Sequence, residues 1–591
     1  MKNLLGLVIL GCILTSSVAL AEPSLIVVFP QTNYQTSAQK IFFLGTAPPD
    51  GQVLINSKPI TRSKAGHFSP SFPLQLGENL FTVRYHNQEL KIKVIGLNAS
   101  PELPQGVAFA KDSLTPAVDI ARLPGEVICF GALAKLPEGI APPNANVSVT
   151  LANQTIALLP QPQQAQLPSN LAALTGQNQP HAQSSLGNYQ GCTTVATAAD
   201  LGKPQFQLTL DGKTITQPGS GKIEILSRAQ LPVFEVTVES GVARTGPSTD
   251  YSRLTPLPKG TRATVTGREG EWLRLDYGAW INSKETRILP GAVPSQTIIR
   301  SVGYRQLPSA TEIVFPLQVP VPVSVQQSEG AFALTLYNTT AQTDIIRLDD
   351  DPLIYRLDWQ QEAPGQVKYT FNLKKAQQWG YKLRYDGTTL VLALRHPPKI
   401  GNTRRKLLAN FKIVLDPGHG GKESGASGPT GYLEKDVNLV VSKLLRDELV
   451  KEGATVVMTR EDDKEVSLVE RQAIISQEEP AIALSIHHNS LPDDGDAEKT
   501  KGFGAFWYQP QAHSLAIFLQ NYVVKKLGRP SYGVFWDNLA LTRPADAPSV
   551  LLELGFMSNP DEFEQVVNPE EQKKMAKAIA QGITEWVRSV R

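Results

Sequence analysis

Apolar and polar positions alternate in short runs through the first two thirds of the chain. Ile26 to Phe29, Lys40 to Leu44 and Leu80 to Tyr85 carry this period of two between turn residues, and they predict a small β-sandwich over 24–97. Phe332, Leu334 and Leu336, with Leu390, Leu392 and Leu394, predict a second sandwich over 296–398. Residues 233–290 read as short strands broken by Gly and Pro, with Trp272 and Trp280 as large apolar anchors of a core. Residues 98–228 predict a β domain holding a long Pro-, Gln- and Ala-rich loop around 158–190, too polar to pack a core of its own. His181 falls in that loop and reads as solvated. His396, Pro397 and Pro398, followed by the basic Arg404, Arg405 and Lys406, predict a linker, bounded as 399–410.

Past residue 410 the period changes. Lys412 to Leu415 reads as a buried strand, Glu434 to Leu449 as a helix with Val437, Val441, Leu444 and Leu445 on one stripe, and Thr455 to Met458 as a strand. Val466 to Ser476, Ser514 to Lys526 and Glu570 to Val587 read as helices, with strands at Ile482 to Ile486, Gly504 to Tyr508 and Val550 to Leu552. Strands alternating with helices predict an α/β domain over 411–591. The expected fold class is therefore multidomain, with β-rich modules followed by a C-terminal α/β domain.

Bulk properties sharpen this picture. A chain of 591 residues exceeds what one core can hold, since single cores stop growing near roughly 250–300 residues. A formal net charge of +2 gives no strong field to recruit nucleic acid or anionic lipid, so neither is an expected partner. Residues 1–21 read as an export signal: Lys2, an apolar run from Leu4 to Leu14, then small residues ending at Ala19, Leu20 and Ala21. The mature protein is expected to be periplasmic or secreted and not integral to a membrane. A variant reading makes Ile9, Leu10, Gly11 and Cys12 a lipoprotein box. Once Cys12 leaves with the signal, Cys129 and Cys192 remain, either bridged in an oxidising compartment or buried as small hydrophobes.

The candidate chemistry lies at strand ends. His419 follows the first strand of the α/β domain through Asp416, Pro417 and Gly418; His487 caps Leu484 to Ile486; Glu553 caps Val550 to Leu552. Open α/β sheets bind ligands beyond the carboxyl ends of their strands, so three segments bring His, His and Glu to one rim. Glu434 reaches the same rim through a loop containing Gly420, Gly421, Gly425, Gly428 and Gly431. Two imidazoles and a carboxylate form a catalytic zinc set that leaves one position for water and lowers that water's pKa to about 7. A further carboxylate is needed as general base, and Glu553 takes that role. His488 competes with His487 for the metal; side chains alternate along a strand, so only one of the two faces it, and His487 is favoured. His513 reads as a surface residue, Arg460 and Arg471 as ion-pair partners, and Asp416 and Asn489 as groups that orient neighbouring ligands.

Four stretches now stand in order: DPGHGG from Asp416 to Gly421, GYLEKD from Gly431 to Asp436, SIHHN from Ser485 to Asn489, and LELGFMSN from Leu552 to Asn559. Together they resemble the zinc-dependent N-acetylmuramoyl-L-alanine amidases (amidase_3) over essentially 411–588. The resemblance implies Zn2+ held by His419, Glu434 and His487, with Glu553 as catalytic acid/base. It also implies the substrate, the amide between the MurNAc lactyl group and L-Ala of peptidoglycan stem peptides, and a role in wall remodelling or cell separation. Lys422, Glu423 and Ser424 stand where the family often has Asp after the double glycine, and His488 where a small residue often follows the ligand. Upstream, Gly66 to Ser69 with Leu74 to Asn79 resembles bacterial Ig-like modules. Val242 to Ser248, Leu257 to Gly260, Gly270 to Leu275 and Gly278 to Ile281 resemble a bacterial SH3-like domain. Residues 296–398 resemble, by position, the AMIN-like wall-targeting module of such enzymes. Some members plug their site with a long helix after the third ligand; Ser490 to Gly502 is short and polar, so no built-in plug of that type is expected, and any restraint would come from the upstream modules. Two rival readings remain: a wall-binding protein whose hydrolase domain is a relic, and the same zinc chemistry on another amide such as a peptide crosslink.

Overall fold

The computed structural model describes residues 24–98, 106–134, 145–161, 165–166, 181–182, 187–210, 212–399 and 406–590. The expected export signal, Cys12 and most of the Pro-, Gln- and Ala-rich loop lie outside the described residues. At the N-terminal end, Ile26–Phe29, Leu44–Thr46 and His67–Phe68 form a three-stranded sheet facing a five-stranded one built on the hairpin Gly77–Tyr85 and Gln88–Gly96. Alternation dictates which side chains meet: Phe81, Val83 and Tyr85 turn inward to join Ile41, Phe43, Ile55 and Phe68 in one core.

Cys129 and Cys192 sit directly opposite each other on the antiparallel strands Val127–Leu133 and Asn188–Thr194 and are joined by a disulfide. Ile120–Arg122 pairs in parallel with Ile223–Ile225 and antiparallel with Arg262–Glu269. One sheet therefore runs from the 98–228 region into the 233–290 region, because an unpaired strand edge finds its backbone partners across that junction. Ion pairs Arg122–Glu269 at 2.6 Å and Arg274–Glu126 at 2.7 Å flank the seam. Trp280 is buried as expected, whereas Trp272 is only half-buried, with the Arg244 guanidinium 5.8 Å from its ring. His181 lies in a two-residue strand paired with Ala165–Gln166 and not in the loop expected for it. Residues 297–395 make a five-stranded and a four-stranded sheet that close on Phe315, Phe332, Tyr369, Phe371 and Leu392.

The C-terminal part is an α/β domain with elements β1 Lys412–Pro417, α1 Glu434–Lys451, β2 Thr455–Met458, α2 Leu468–Glu478, β3 Ile482–Asn489, β4 Phe503–Trp507, α3 Pro510–Leu527, β5 Ser531–Trp536, β6 Ser549–Phe556, α4 Pro560–Val566 and α5 Pro569–Ser589. Its sheet has the order β2-β1-β3-β6-β4-β5, with β2, β1, β3 and β6 parallel and β4 antiparallel to β6. Val437, Val441, Leu445 and Leu449 recur every fourth residue and bury α1 against this sheet. Prolines at the first position set the starts of α3, α4 and α5, and Asn559 and Asn568 cap the latter two. The strand at β5 and the helix at α4 are additional to the elements read from the sequence. A capping box of Ser467 and Glu470 starts α2 two residues later than its apolar pattern suggested.

Two upstream regions dock on this domain. Trp379 enters its core, with ring centroids 5.5 Å from Trp586 and 6.1 Å from Phe411, while Arg395 donates to the carbonyls of Pro480, Glu479 and Asp546. The N-terminal sheets grip the segment between β3 and β4. Tyr34 donates its hydroxyl to Asp493 at 2.9 Å, Phe42 N–H bonds the Asp493 carbonyl, and Phe42 and Leu44 pack on Ala497. Among the described residues no helix is long and apolar enough to cross a membrane.

Two measurements follow from this packing. Trp379→Ala should cost about 3–5 kcal/mol by leaving a cavity against Trp586 and Phe411, seen as a lower denaturant midpoint for the catalytic domain; a midpoint within error of the parent would contradict the docking. Replacing both Cys129 and Cys192 by Ala should lower stability by about 2–4 kcal/mol, and thiol alkylation should label neither cysteine in the unreduced parent.

Candidate metal centre

Parallel pairing of β1, β3 and β6 fixes the site. His419 lies two residues beyond β1, and His487 and Glu553 are register partners on adjacent strands, so their backbones stand about 4.8 Å apart at one rim. Glu434 is the first residue of α1, which the glycine-rich loop after His419 returns to the same point. One donor atom each from His419, Glu434 and His487 lies within 4.8 Å of the others. The Glu434 carboxylate is the hub. Its Oε2 sits 3.2 Å from His419 Nε2 and accepts from Ala426 N–H; its Oε1 sits 3.0 Å from His487 Nδ1 and accepts from Asn438 Nδ2 and His488 N–H.

Charge follows geometry. Burial would push the Glu434 carboxyl up, but the hydrogen bonds and charges of His419 and His487 outweigh it and hold the group well below the usual carboxylate range. Burial works against a charged His419, yet its bond to Glu434 raises that imidazole. Glu553 has the opposite environment: its Oε2 is buried with no hydrogen-bond partner, and burial followed by the charge of Glu434 pushes it well above its ordinary value. Two carboxylates on one rim thus differ sharply in their hold on a proton.

The loop that carries His419 is tightly held. His419 itself has φ of 61°, in the left-handed region, and Arg471 Nη2 donates to its carbonyl at 2.7 Å. A Cβ on Gly418 would stand 2.2 Å from the His487 ring, and one on Gly425 would stand 2.4 Å from Glu434 Oε2. Only glycine lets the backbone approach this closely. The cradle and its donor set of two ring nitrogens and one carboxylate oxygen fit a tetrahedral divalent ion with one position left over.

Several side chains differ from expectation. Arg471 does form a buried ion pair with Asp416 at 2.6 Å, but Arg460 forms none among the described residues. Its guanidinium instead donates to the carbonyls of Pro417 and Gly418 where β1 ends, of Lys435 in the first turn of α1, and of Asp462 after β2, tying three segments together. Asp416 also accepts from Thr459 and Ser485, so it reaches the metal donors only through Arg471. Asn489 caps Ser490 N–H and, among the described residues, makes no hydrogen bond to the metal-donor side chains. The orienting amide is Asn438, which bonds Glu434, the Gly418 carbonyl and His488 Nδ1. The sequence held a signal for it, since an Asn beside Val437, four residues after Glu434, falls on the buried stripe and needs partners there. His488 is buried, points to Asn438, and is pushed down by burial to about 3. His513 is exposed, its ring 4.4 Å from that of Trp507.

A His, Glu, His cluster that could hold a metal ion thus lies beside a buried, unpartnered carboxylate oxygen at the rim of a mixed α/β sheet. Residues 413–585 match the family described as N-acetylmuramoyl-L-alanine amidase (Amidase_3), and residues 241–286 match the bacterial SH3 domain family. The chain therefore carries an amidase domain of that family and a bacterial SH3 domain. It is 38% identical over 185 residues to "Probable cell wall amidase LytH" of Staphylococcus aureus, covering 31% of this chain and 60% of that protein. The chain thus spans about 60% of the length of the curated relatives it matches. Among solved structures it is similar to the N-acetylmuramoyl-L-alanine amidase AmiC2 of Nostoc punctiforme, with 32% identity, 30% of this chain and 97% of that one covered, and a TM-score of 0.29. It is also similar to the catalytic domain of CwlV of Bacillus (Paenibacillus) polymyxa, with 29% identity, 31% and 99% covered, and a TM-score of 0.29.

Asn438→Ala removes the amide that fixes Glu434 and should weaken zinc binding by about 10–100-fold. Competition against a chromophoric chelator measures this, and an unchanged affinity would rule out the positioning role.

Proposed function

We propose that this protein is a wall-associated zinc hydrolase, an N-acetylmuramoyl-L-alanine amidase that cuts the amide between the MurNAc lactyl group and L-Ala of peptidoglycan stem peptides. The observation that carries the reading is the gathering of His419, Glu434 and His487 donor atoms within 4.8 Å, with Glu553 in register with His487 on the next strand. The match to the amidase family over 413–585 supplies the substrate class. The same reading assigns the protein to the periplasm or the cell exterior, after loss of the export signal over 1–21.

The residues divide the work. His419, Glu434 and His487 would hold Zn2+, which supplies Lewis acidity toward the amide carbonyl and brings the pKa of a water to about 7. Glu553 is the one carboxylate on the rim with a buried, unpartnered oxygen. That oxygen takes the proton of the attacking water as its hydroxyl adds to the lactyl carbonyl carbon. It returns the proton to the alanine nitrogen as the C–N bond breaks, leaving a free lactyl carboxylate and a peptide with a new amino terminus. Glu434 is unsuited to that task, since it is one of the three groups that would hold the metal and its carboxyl is held well below the usual carboxylate range. Asn438 and His488 lock Glu434, and Arg471 and Arg460 lock the His419 loop. The donors are thus placed before substrate arrives.

Glu553→Gln should keep one zinc per chain and lose about 10²–10⁴ in hydrolysis of purified sacculi; retained activity would remove Glu553 from the mechanism. Products of the parent enzyme should carry Ala at their new amino termini, and other residues there would point to a crosslink hydrolase. Zinc well below one equivalent, without turnover, would favour the relic reading.

A further inference from the structure

A second site opens on the far side of the catalytic sheet. A cavity of about 810 Å³ lies where the SH3-type region, the 297–395 sandwich and the catalytic domain meet, and Arg253, Tyr277, Tyr337, Tyr508, Trp536 and Arg543 line it. Strand direction places it away from the metal donors. β4 and β5 run against β6, with Gly504 opposite Glu553 and Trp507 opposite Val550. Their carboxyl ends, which lead to Tyr508 and Trp536, therefore lie about 10 Å along the sheet from Glu553, toward the opposite rim.

Two kinds of group converge there. The first is aromatic: Tyr508 and Trp536 have ring centroids 5.3 Å apart at 34°, and Tyr277 stacks on Tyr337 at 4.4 Å. Trp536 is 60% exposed, although its Nε1–H is fixed on the Tyr508 carbonyl. A large ring pinned in position and left in solvent offers a flat face to a ligand. The second is cationic. Arg543 is half-buried and held by the Asn538 side chain and carbonyl at 2.6 and 2.7 Å, while the Arg253 side chain makes no hydrogen bond among the described residues. Arg244 lies buried nearby and gives its guanidinium to the carbonyls of Thr249 and Tyr251. Among the described residues none of the three arginines has a carboxylate within 4 Å, and burial followed by the charges of Arg253 and Arg244 pushes Arg543 down to about 10. Such a cluster is unfinished until an anion joins it.

We propose that this three-domain cleft binds a carboxylate-bearing stretch of the wall's glycan–peptide polymer, remote from the bond that is cut. The proposal rests on the wall-amidase reading above. Forked guanidiniums match planar carboxylates, and pinned rings accept the apolar faces of sugars or peptide planes. Because three domains build the cleft, it exists only in the docked chain. A polymer held there and at the metal rim is held at two points, which raises local substrate concentration without any new contact at the site of hydrolysis.

The test uses full-length, zinc-loaded Glu553→Gln protein titrated with soluble glycan strands bearing uncrosslinked stem peptides. Tryptophan fluorescence is the readout, and the component lost in a Trp536→Phe variant defines the cleft signal. Arg253→Gln should weaken the affinity read by that component about tenfold or more. Arg543→Lys, which keeps the charge but loses the fork, should weaken it too. Strands whose stem carboxylates have been amidated should bind as poorly to the parent as native strands do to Arg253→Gln. Unchanged affinity in both arginine variants, equal binding of amidated strands, or stronger binding of a phosphate-bearing wall polymer would each overturn the proposal. Binding in Glu553→Gln needs no turnover. A parent chain that shows the cleft signal but releases no alanine-terminated peptide would sink the amidase reading alone, and release without the signal would sink the cleft alone.

Discussion

The Glu434 carboxylate is the interaction on which the rest depends. A buried carboxylate that lacked donors would take up a proton, and with it would go its pull on two imidazoles. Three donors counter this, Asn438 Nδ2 and the backbone N–H groups of Ala426 and His488, and the rings of His419 and His487 face the carboxylate at 3.2 and 3.0 Å. Glu553 Oε2, one strand away from His487, is given none among the described residues. The same residue type is therefore held as an anion in one place and pushed toward its protonated form in the other, because the fold distributes hydrogen-bond donors unequally between them.

That inequality is a product of strand geometry and loop anchoring together. Parallel pairing aligns His487 with Glu553, while the His419 loop must turn back sharply to deliver Glu434 at the head of α1. A turning loop leaves its carbonyls unpaired, and Arg460 and Arg471 collect those of Pro417, Gly418 and His419. The Asp416–Arg471 pair is buried on both sides. Breaking such a pair strands a charge, so the anchor also couples the loop to β1 and α2.

The upstream regions are part of the catalytic body. Trp379 completes its hydrophobic core, and the N-terminal sheets hold the segment that follows the third metal donor. That segment has no helix of its own; the module packed on it holds it from one side, and Asn559 Nδ2 holds it from the other through the carbonyls of Ala497, Glu498 and Thr500. The His67 ring lies 5.2 Å from Phe563, and a Cβ on Gly428 would stand 2.0 Å from the same Phe563 ring. Contacts thus run from the N-terminal module to the loop that precedes Glu434.

All the strands and helices over 411–591 except β5 and α4 were legible in the sequence, as were His419, Glu434, His487 and Glu553 as candidates, since both follow from local periodicity and short local motifs. The sequence also raised the bridge between Cys129 and Cys192 as one of two readings. What it left open were relations between segments far apart along the chain. The cysteines proved to be cross-strand neighbours, Asn438 took the orienting place expected of Asn489, and Arg460 served carbonyls where an acid was expected. The sheet that crosses residue 228, the insertion of Trp379 and the arginine-lined cleft likewise arise only when distant surfaces meet. Periodicity is set by neighbours along the chain, whereas hydrogen-bond partners and burial are set by neighbours in space, and only the tertiary fold chooses those.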